Sequence, residues 1–113
     1  MPGISIHVVD VSRGVVAAGM RVELFRGEKL LASGATSMKG LLEDRKLDVV
    51  FSAGSYKAIF HVADYYKKEG VALPTQPFLD VVAYEFGIDK PEQHYHLPFK
   101  CTPWGYSCFR GGA

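Results

Sequence analysis

His94-Tyr95-His96-Leu97-Pro98-Phe99-Lys100 is the stretch whose reading decides the fold. Successive side chains of an extended strand point to opposite faces. Tyr95, Leu97 and Phe99 therefore share one face and suit a core, while His94, His96 and Pro98 share the other. The chain then runs through Trp104-Gly105-Tyr106 to Phe109-Arg110-Gly111-Gly112-Ala113, an apolar and aromatic ending rather than a polar tail. Chain ends are usually loose unless something ties them down. The ending is expected to form a docked last strand, to face a partner, or both.

Working back, the same alternation recurs. Ile4 to Val11 is rich in β-branched residues, with Ile4, Ile6 and Val8 on one side and Ser5, His7 and Val9 on the other. That leaves His7 as an outward residue on an otherwise apolar strand. Met20 to Arg26 alternates with Met20, Val22 and Leu24 inward, and Gly27-Glu28 reads as a tight turn into Lys29–Gly34. Ser55 to Val62 forms a further strand with Tyr56, Ala58, Phe60 and Val62 together, and Phe78–Phe86, His94–Lys100 and Gly105–Arg110 complete the set. One segment suits a helix, Ala63–Glu69, with Asp64 near its start and Gly70 as its stop. Two turns of helix do not persist alone, so this one must pack on a sheet. Seven or eight short strands, turn signals between them and one short helix predict an all-β, antiparallel sandwich forming one domain over residues 1–113.

Composition narrows the function classes. The 113 residues are 48% hydrophobic and 22% charged, which is ordinary globular composition. A net charge of +1 gives no reason to expect nucleic acid or an anionic membrane as partner. No apolar run approaches the ~20 residues of a membrane span, and the first residues lack a secretory pattern. A cytoplasmic location is the expectation, with Cys101 and Cys108 as reduced thiols. Their spacing with the histidines matches no structural zinc pattern.

The sequence lacks a GxSxG elbow, a P-loop, a GxGxxG run and HExxH. What remains is imidazole, the usual general base near neutral pH. His7, His94 and His96 all face outward on strands, whereas His61 beside Tyr65-Tyr66 reads as a packed, hydrogen-bonded histidine. Alternation alone does not bring His7 beside His96.

The ending carries a more specific signal. His94-Tyr95-His96-Leu97-Pro98, then Pro103-Trp104-Gly105-Tyr106-Ser107, then Phe109-Arg110-Gly111-Gly112, together resemble the C-terminal signature of the 5-hydroxyisourate hydrolases, the transthyretin-like enzymes of urate breakdown. That signature reads His-Tyr-His-Val-Pro, Ser-Pro-Phe/Tyr-Gly-Tyr-Ser and Tyr-Arg-Gly-Ser. Ile6-His7-Val8-Val9-Asp10 with Val22–Arg26 is similar to the family's opening signature, and Gly54-Ser55-Tyr56 with Phe60–Tyr66 fits between. The resemblance implies a transthyretin-like, eight-stranded sandwich with one short helix, assembled as a homotetramer with sites in the channel between dimers. It implies no metal and no organic cofactor, and a small purine-derived substrate. By position, His7, His96 and Arg110 match the catalytic groups, with His94, Leu41, Phe109, Gly111 and Gly112 at the substrate. The implied chemistry is water activation by imidazole, attack on a ring carbonyl and opening of the six-membered ring at its amide bond, with a cationic or N–H donor on the oxyanion.

Three positions depart from the family's pattern. Leu41 stands where the family carries the arginine of an Asp-Gly-Arg loop, Phe109 replaces the terminal tyrosine, and Gly112 replaces the closing serine, with Ala113 beyond it. Leucine offers none of a guanidinium's donors. A ring edge that lost such a partner would be left unpaired, at about 1–3 kcal/mol for a desolvated group. A roomier, less polar pocket suits an N-methylated 5-hydroxyisourate such as the trimethyl compound, formed in the breakdown of caffeine-like xanthines. Alternatively, Lys39 or Arg45 replaces the lost arginine and the ordinary substrate is kept. A non-catalytic, transthyretin-like binding protein is the rival from another class, against which the retention of His7 and His96 argues.

Overall fold

The computed structural model describes residues 2–112. Eight strands form in chain order: β1 (Gly3–Asp10), β2 (Val15–Val16), β3 (Arg21–Arg26), β4 (Lys29–Ala35), β5 (Gly54–His61), β6 (Val81–Ile88), β7 (His94–Thr102) and β8 (Gly105–Cys108). One helix, α1 (Val62–Lys68), follows β5, and a single 3-10 turn covers Arg45–Leu47. The strands make two four-stranded sheets, β2-β1-β7-β8 and β4-β3-β5-β6.

The alternation read from the sequence sets the inner faces. Ile4, Ile6 and Val8 of β1 and Tyr95, Leu97 and Phe99 of β7 are buried, opposite Val22, Leu24, Tyr56, Ala58 and Phe60 of the other sheet. At the centre Phe60 and Phe99, one from each sheet, stack with ring centroids 3.9 Å apart. All strand pairs are antiparallel but one: β1 runs parallel to β7, with Ser5 opposite His96 and His7 opposite Pro98. Nothing in a period-2 pattern distinguishes a parallel neighbour from an antiparallel one. The remaining differences lie at element ends. β6 starts at Val81 rather than Phe78, because its ladder on β5 stops where His61 pairs with Val81 and the Ala63 N–H turns to the Asp80 carbonyl. β8 stops at Cys108 because the ladder is interrupted there, the tail pairing with β7 again at Gly111 opposite His96 in the same register, and Val15–Val16 adds a short strand the sequence reading passed over. The helix begins at Val62, and its preceding His61 bonds Glu23 rather than capping it. Ala113 lies outside the described residues.

Helix α1 is tied to the opposite sheet by a buried carboxylate. Asp10, at the end of β1, is fully buried. Its Oδ1 accepts from the Tyr66 hydroxyl at 2.7 Å and from Ser12 at 2.6 Å, while Oδ2 accepts from Tyr65 at 3.0 Å and lies 3.5 Å from the Arg13 guanidinium. Tyr66 also donates to the Cys101 carbonyl on β7 at 3.2 Å. Burial holds both phenols well above their ordinary pKa, so they remain donors. A buried charge is tolerated when its lone pairs are filled in this way. Asp10→Ala leaves the Tyr65 and Ser12 hydroxyls without their acceptor and Tyr66 with only the Cys101 carbonyl, and urea unfolding is expected to show a loss of about 3–5 kcal/mol. Tyr65→Phe, which removes one donor of three, is expected to cost about 1 kcal/mol.

Candidate active site

The parallel register gathers the outward residues of β1 and β7 into one cluster. Ser5 lies directly opposite His96, and His7 sits two residues further along the same face. All of Ser5, His7, His94 and His96 are half-buried. The Ser5 Oγ lies 2.8 Å from His94 Nε2 and 2.6 Å from His96 Nδ1, so one hydroxyl joins the two imidazoles of β7. His94 Nδ1 reaches the Pro2 carbonyl at 3.5 Å. On β1 the His7 Nε2–H donates to the Lys39 carbonyl at 3.0 Å, which leaves Nδ1 as the other ring nitrogen.

Two further segments flank this cluster, each running alongside a central strand at the edge of the sheet. On the β1 side, Val8 N–H bonds to the Gly40 carbonyl and Leu42 N–H to the Ile6 carbonyl, which sets Leu41 directly opposite His7. On the β7 side, Gly111 N–H bonds to the His96 carbonyl at 2.8 Å and sets Gly111 opposite His96. Each of these segments carries a glycine in close contact with its neighbouring strand. Gly40 has φ +76°, and a Cβ there would stand 2.6 Å from the Val8 carbonyl oxygen and 3.3 Å from the His7 ring. A Cβ on Gly111 would stand 2.7 Å from His96 Cδ2 and 3.1 Å from Pro98. At this end the sheet is thus four segments wide, with a histidine on each central strand.

Leu41 is half-buried and lines, with Ser5, Ile6, Asp44 and Arg45, a cleft of about 380 Å³. Arg110 lies off the histidine row. Its guanidinium donates to Gln93 Oε1 at 3.0 Å and to the His94 carbonyl at 3.2 Å, and stacks 4.0 Å over the Tyr95 ring. Phe109 is exposed, with the Lys100 ammonium 5.6 Å over its ring, and Gly112 is exposed with open space around it. The structure therefore joins His7, His94, His96, Leu41 and Gly111 in one cluster, sets the Arg110 guanidinium over Tyr95 on the opposite, inner face of the sheet, and leaves Phe109 and Gly112 exposed at the margin. His61 is hydrogen-bonded to Glu23 at 2.6 Å, away from this face. Among the described residues no group of three His, Cys, Asp or Glu side chains is placed to hold a metal ion, and no helix is long and apolar enough to cross a membrane. Sequence reasoning placed Ser5 outward without singling it out; the signal was its shared face with His7, and the missing piece was the register. The Lys39 carbonyl left no side-chain signal at all.

Burial chiefly, then the neighbouring His7 and His94, lowers the pKa of His96. Its imidazole is therefore neutral at neutral pH. Such an arrangement offers uncharged ring nitrogens on a partly desolvated surface, which is the state needed for proton abstraction.

Two four-stranded sheets with one helix, carrying an imidazole cluster on the outer face of the β1/β7 sheet, define a transthyretin-type sandwich with a candidate hydrolytic centre. A family model described as the HIUase/Transthyretin family matches residues 4–111. The 5-hydroxyisourate hydrolase of Deinococcus radiodurans is 40% identical over 119 residues, spanning 97% of this chain and 96% of that one. The 5-hydroxyisourate hydrolase 2 of Rhizobium meliloti is 34% identical, spanning 96% and 94%. Among solved structures, Klebsiella pneumoniae 5-hydroxyisourate hydrolase superposes with TM-score 0.82 at 28% identity, covering 99% of this chain and 100% of that one. An (S)-allantoin synthase superposes with TM-score 0.86 at 33% identity over 97% of this chain, which spans only 43% of the synthase. The chain belongs to the HIUase/Transthyretin family.

The sign of the His96 shift fixes its pH behaviour. A histidine whose folded pKa is depressed binds fewer protons folded than unfolded, so its contribution falls away as the pH drops through the ordinary value of about 6.5. NMR titration is expected to find His96 protonating below that value, and His7→Ala is expected to move its midpoint upward. Gly111→Ala is expected to displace the His96 ring resonances while leaving those of His61 in place.

Proposed function

We propose that the chain hydrolyses the six-membered ring of a 5-hydroxyisourate, with His7 and His96 as its acid–base pair. The carrying observation is that both imidazoles share one sheet face, each with one ring nitrogen held by a hydrogen bond and the other free. Family membership and the hydrolase names of the relatives support the reaction class. In the proposed step one imidazole takes a proton from water as the oxygen adds to the ring carbonyl carbon. The tetrahedral oxyanion collapses, the C–N bond breaks, and the leaving nitrogen receives a proton from an imidazolium. The products are a carboxylate and an N–H on one opened chain. Arg110 is the cation assigned to the oxyanion or the product carboxylate, a role that takes its guanidinium from the inner face, where it lies over Tyr95, to the histidine face.

The substrate reading turns on Leu41. Residues directly opposite on neighbouring strands share a face, so the Leu41 side chain belongs to the same surface as His7. An apolar branch there accepts a methyl group where a guanidinium would demand a hydrogen-bonding edge. With Phe109 and Gly112 at the margin, this favours an N-methylated ring, the trimethyl compound above all, and so a place in caffeine-type methylxanthine breakdown. One observation favours a second reading: Arg45 lines the same cleft as Ser5 and Leu41, and would restore the missing cation for the unmethylated ring.

The assembly belongs to the same proposal. Val16, Met38, Trp104, Tyr106 and Phe109 are exposed apolar side chains of the kind that burial against further copies would cover. A homotetramer with the histidine faces turned toward one another would shield the site from bulk water. A cytoplasmic location is proposed on the same footing.

Oxidising urate or trimethylurate enzymatically in situ, and following the absorbance decay of each unstable product, tests the reaction. Acceleration of the methylated product's decay is expected. Acceleration of neither would remove the hydrolase reading, and acceleration of the unmethylated one alone would remove the methylated substrate. His7→Ala and His96→Ala are each expected to slow the reaction by ~10²-fold or more. Leu41→Arg should move preference toward the unmethylated ring, whereas a large loss on that ring in Arg45→Ala would favour the second reading. Sedimentation is expected to give a species of four chains; a monomer would overturn the assembly.

A further inference from the structure

The hydroxyl of Ser5 sits between two imidazoles, and its hydrogen bonds can run in only one sense at a time. A serine hydroxyl has one proton to donate. With Oγ 2.8 Å from His94 Nε2 and 2.6 Å from His96 Nδ1, it donates to one ring and accepts from the other. The far side of His94 breaks the tie. Its Nδ1 faces the Pro2 carbonyl at 3.5 Å, and a carbonyl oxygen only accepts. In the neutral ring the His94 proton therefore lies on Nδ1, and Nε2 presents a lone pair to the serine. Ser5 donates to that lone pair, and its oxygen is left to accept from His96.

We propose that Ser5 is a positioning residue: its hydroxyl holds the proton of His96 on Nδ1, so that Nε2 carries the lone pair that takes the proton from water. The assignment rests on the hydrolytic reading for its use, but the tautomer itself follows from the hydrogen-bond chain alone. Every buried side-chain nitrogen and oxygen among the described residues has a hydrogen-bond partner. His96 Nε2 has no such partner, so it opens onto the outer surface, where water or substrate reaches it. The peptide of Gly111 holds the His96 backbone from the other side, and the absence of a Cβ there leaves the ring its place beside Pro98. The depressed proton affinity of His96 keeps the ring in the neutral form in which a tautomer has meaning. The relay also separates the two β7 histidines by role. His96 presents a free nitrogen, whereas both nitrogens of His94 are engaged, one by Pro2 and one by Ser5. His94 is thereby a support for His96.

Long-range 1H–15N spectra of the histidine-labelled full chain at neutral pH read the tautomer directly. His96 is expected as the Nδ1–H form and His94 likewise. Finding His96 with its proton on Nε2 would overturn the proposal without any variant being made. Ser5→Ala is expected to leave His96 as a mixture of both forms and to lower kcat about tenfold or more with KM little changed, and Ser5→Thr, which keeps the hydroxyl, to restore both. A Ser5→Ala protein with wild-type tautomer and wild-type kcat would also overturn it. Should that variant fail to fold, the wild-type spectrum and Ser5→Thr still decide the point. A wild-type protein that accelerates neither substrate's decay would remove the hydrolytic reading and, with it, the catalytic use of the serine, while the spectrum separately reports on the relay.

Discussion

The parallel ladder between β1 and β7 is the constraint on which the site depends. Strands from opposite ends of the chain lie side by side, with Ser5 beside His96. An antiparallel partner in either register would have presented a different set of neighbours. Parallel pairing cannot be closed by a short turn, and here the connection runs through the whole of the other sheet. The ladder is therefore only as secure as the packing between the sheets. Phe60 on Phe99 supplies its centre. Asp10 supplies its end, since one carboxylate binds the hydroxyls of Tyr65 and Tyr66 on a helix that continues from β5. The charge is more specific than apolar packing would be, because only one placement of α1 fills its lone pairs.

Much of this was legible in the sequence, for a reason tied to period. A strand with one wet face writes its burial pattern residue by residue, so the inner residues of β1, β3, β5 and β7 could be read from alternation. The outward placing of His7, His94 and His96 followed from the same rule. Register and direction have no such local record. That is why Ser5 was visible as an outward residue but not as the neighbour of two histidines. Two-residue β2 and the late start of β6 were missed because their limits are set by which backbone groups find partners, as when Ala63 turns to Asp80. The Lys39 carbonyl that holds His7 belongs to the backbone, which any residue would have supplied.

The two flanking segments explain how a flat sheet face becomes a site. A strand pair alone would leave its imidazoles free to rotate in solvent. Here the loop carrying Gly40 packs against the Val8 carbonyl and beside the His7 ring, and the tail carrying Gly111 lies close against the His96 ring. They take one ring nitrogen or one ring edge out of play. Function is thereby divided among parts of different rigidity. The groups proposed to handle protons sit on the central strands, and the groups proposed to meet the substrate, Leu41 and Phe109, sit on the flanking segments. Such a division lets the polarity of the pocket change without disturbing the imidazoles, so that departures at Leu41, Phe109 and Gly112 can coexist with unchanged His7 and His96.

The same division bears on why His96 is poised as it is. Half-burial already lowers its proton affinity, and the adjoining imidazoles act in the same direction. Under the proposed assembly a second copy would remove more water from this face, and each of these effects would grow as the local dielectric falls. Proton affinity cannot fall without limit, however, because a base that is too weak no longer abstracts a proton from water. A hydroxyl that accepts from Nδ1–H works against that loss, since it stabilises the imidazolium that forms when Nε2 takes its proton. Ser5 and burial thus oppose one another at a single ring. In the proposed hydrolysis their balance, set by one side chain two residues before His7, would decide how basic His96 is toward water.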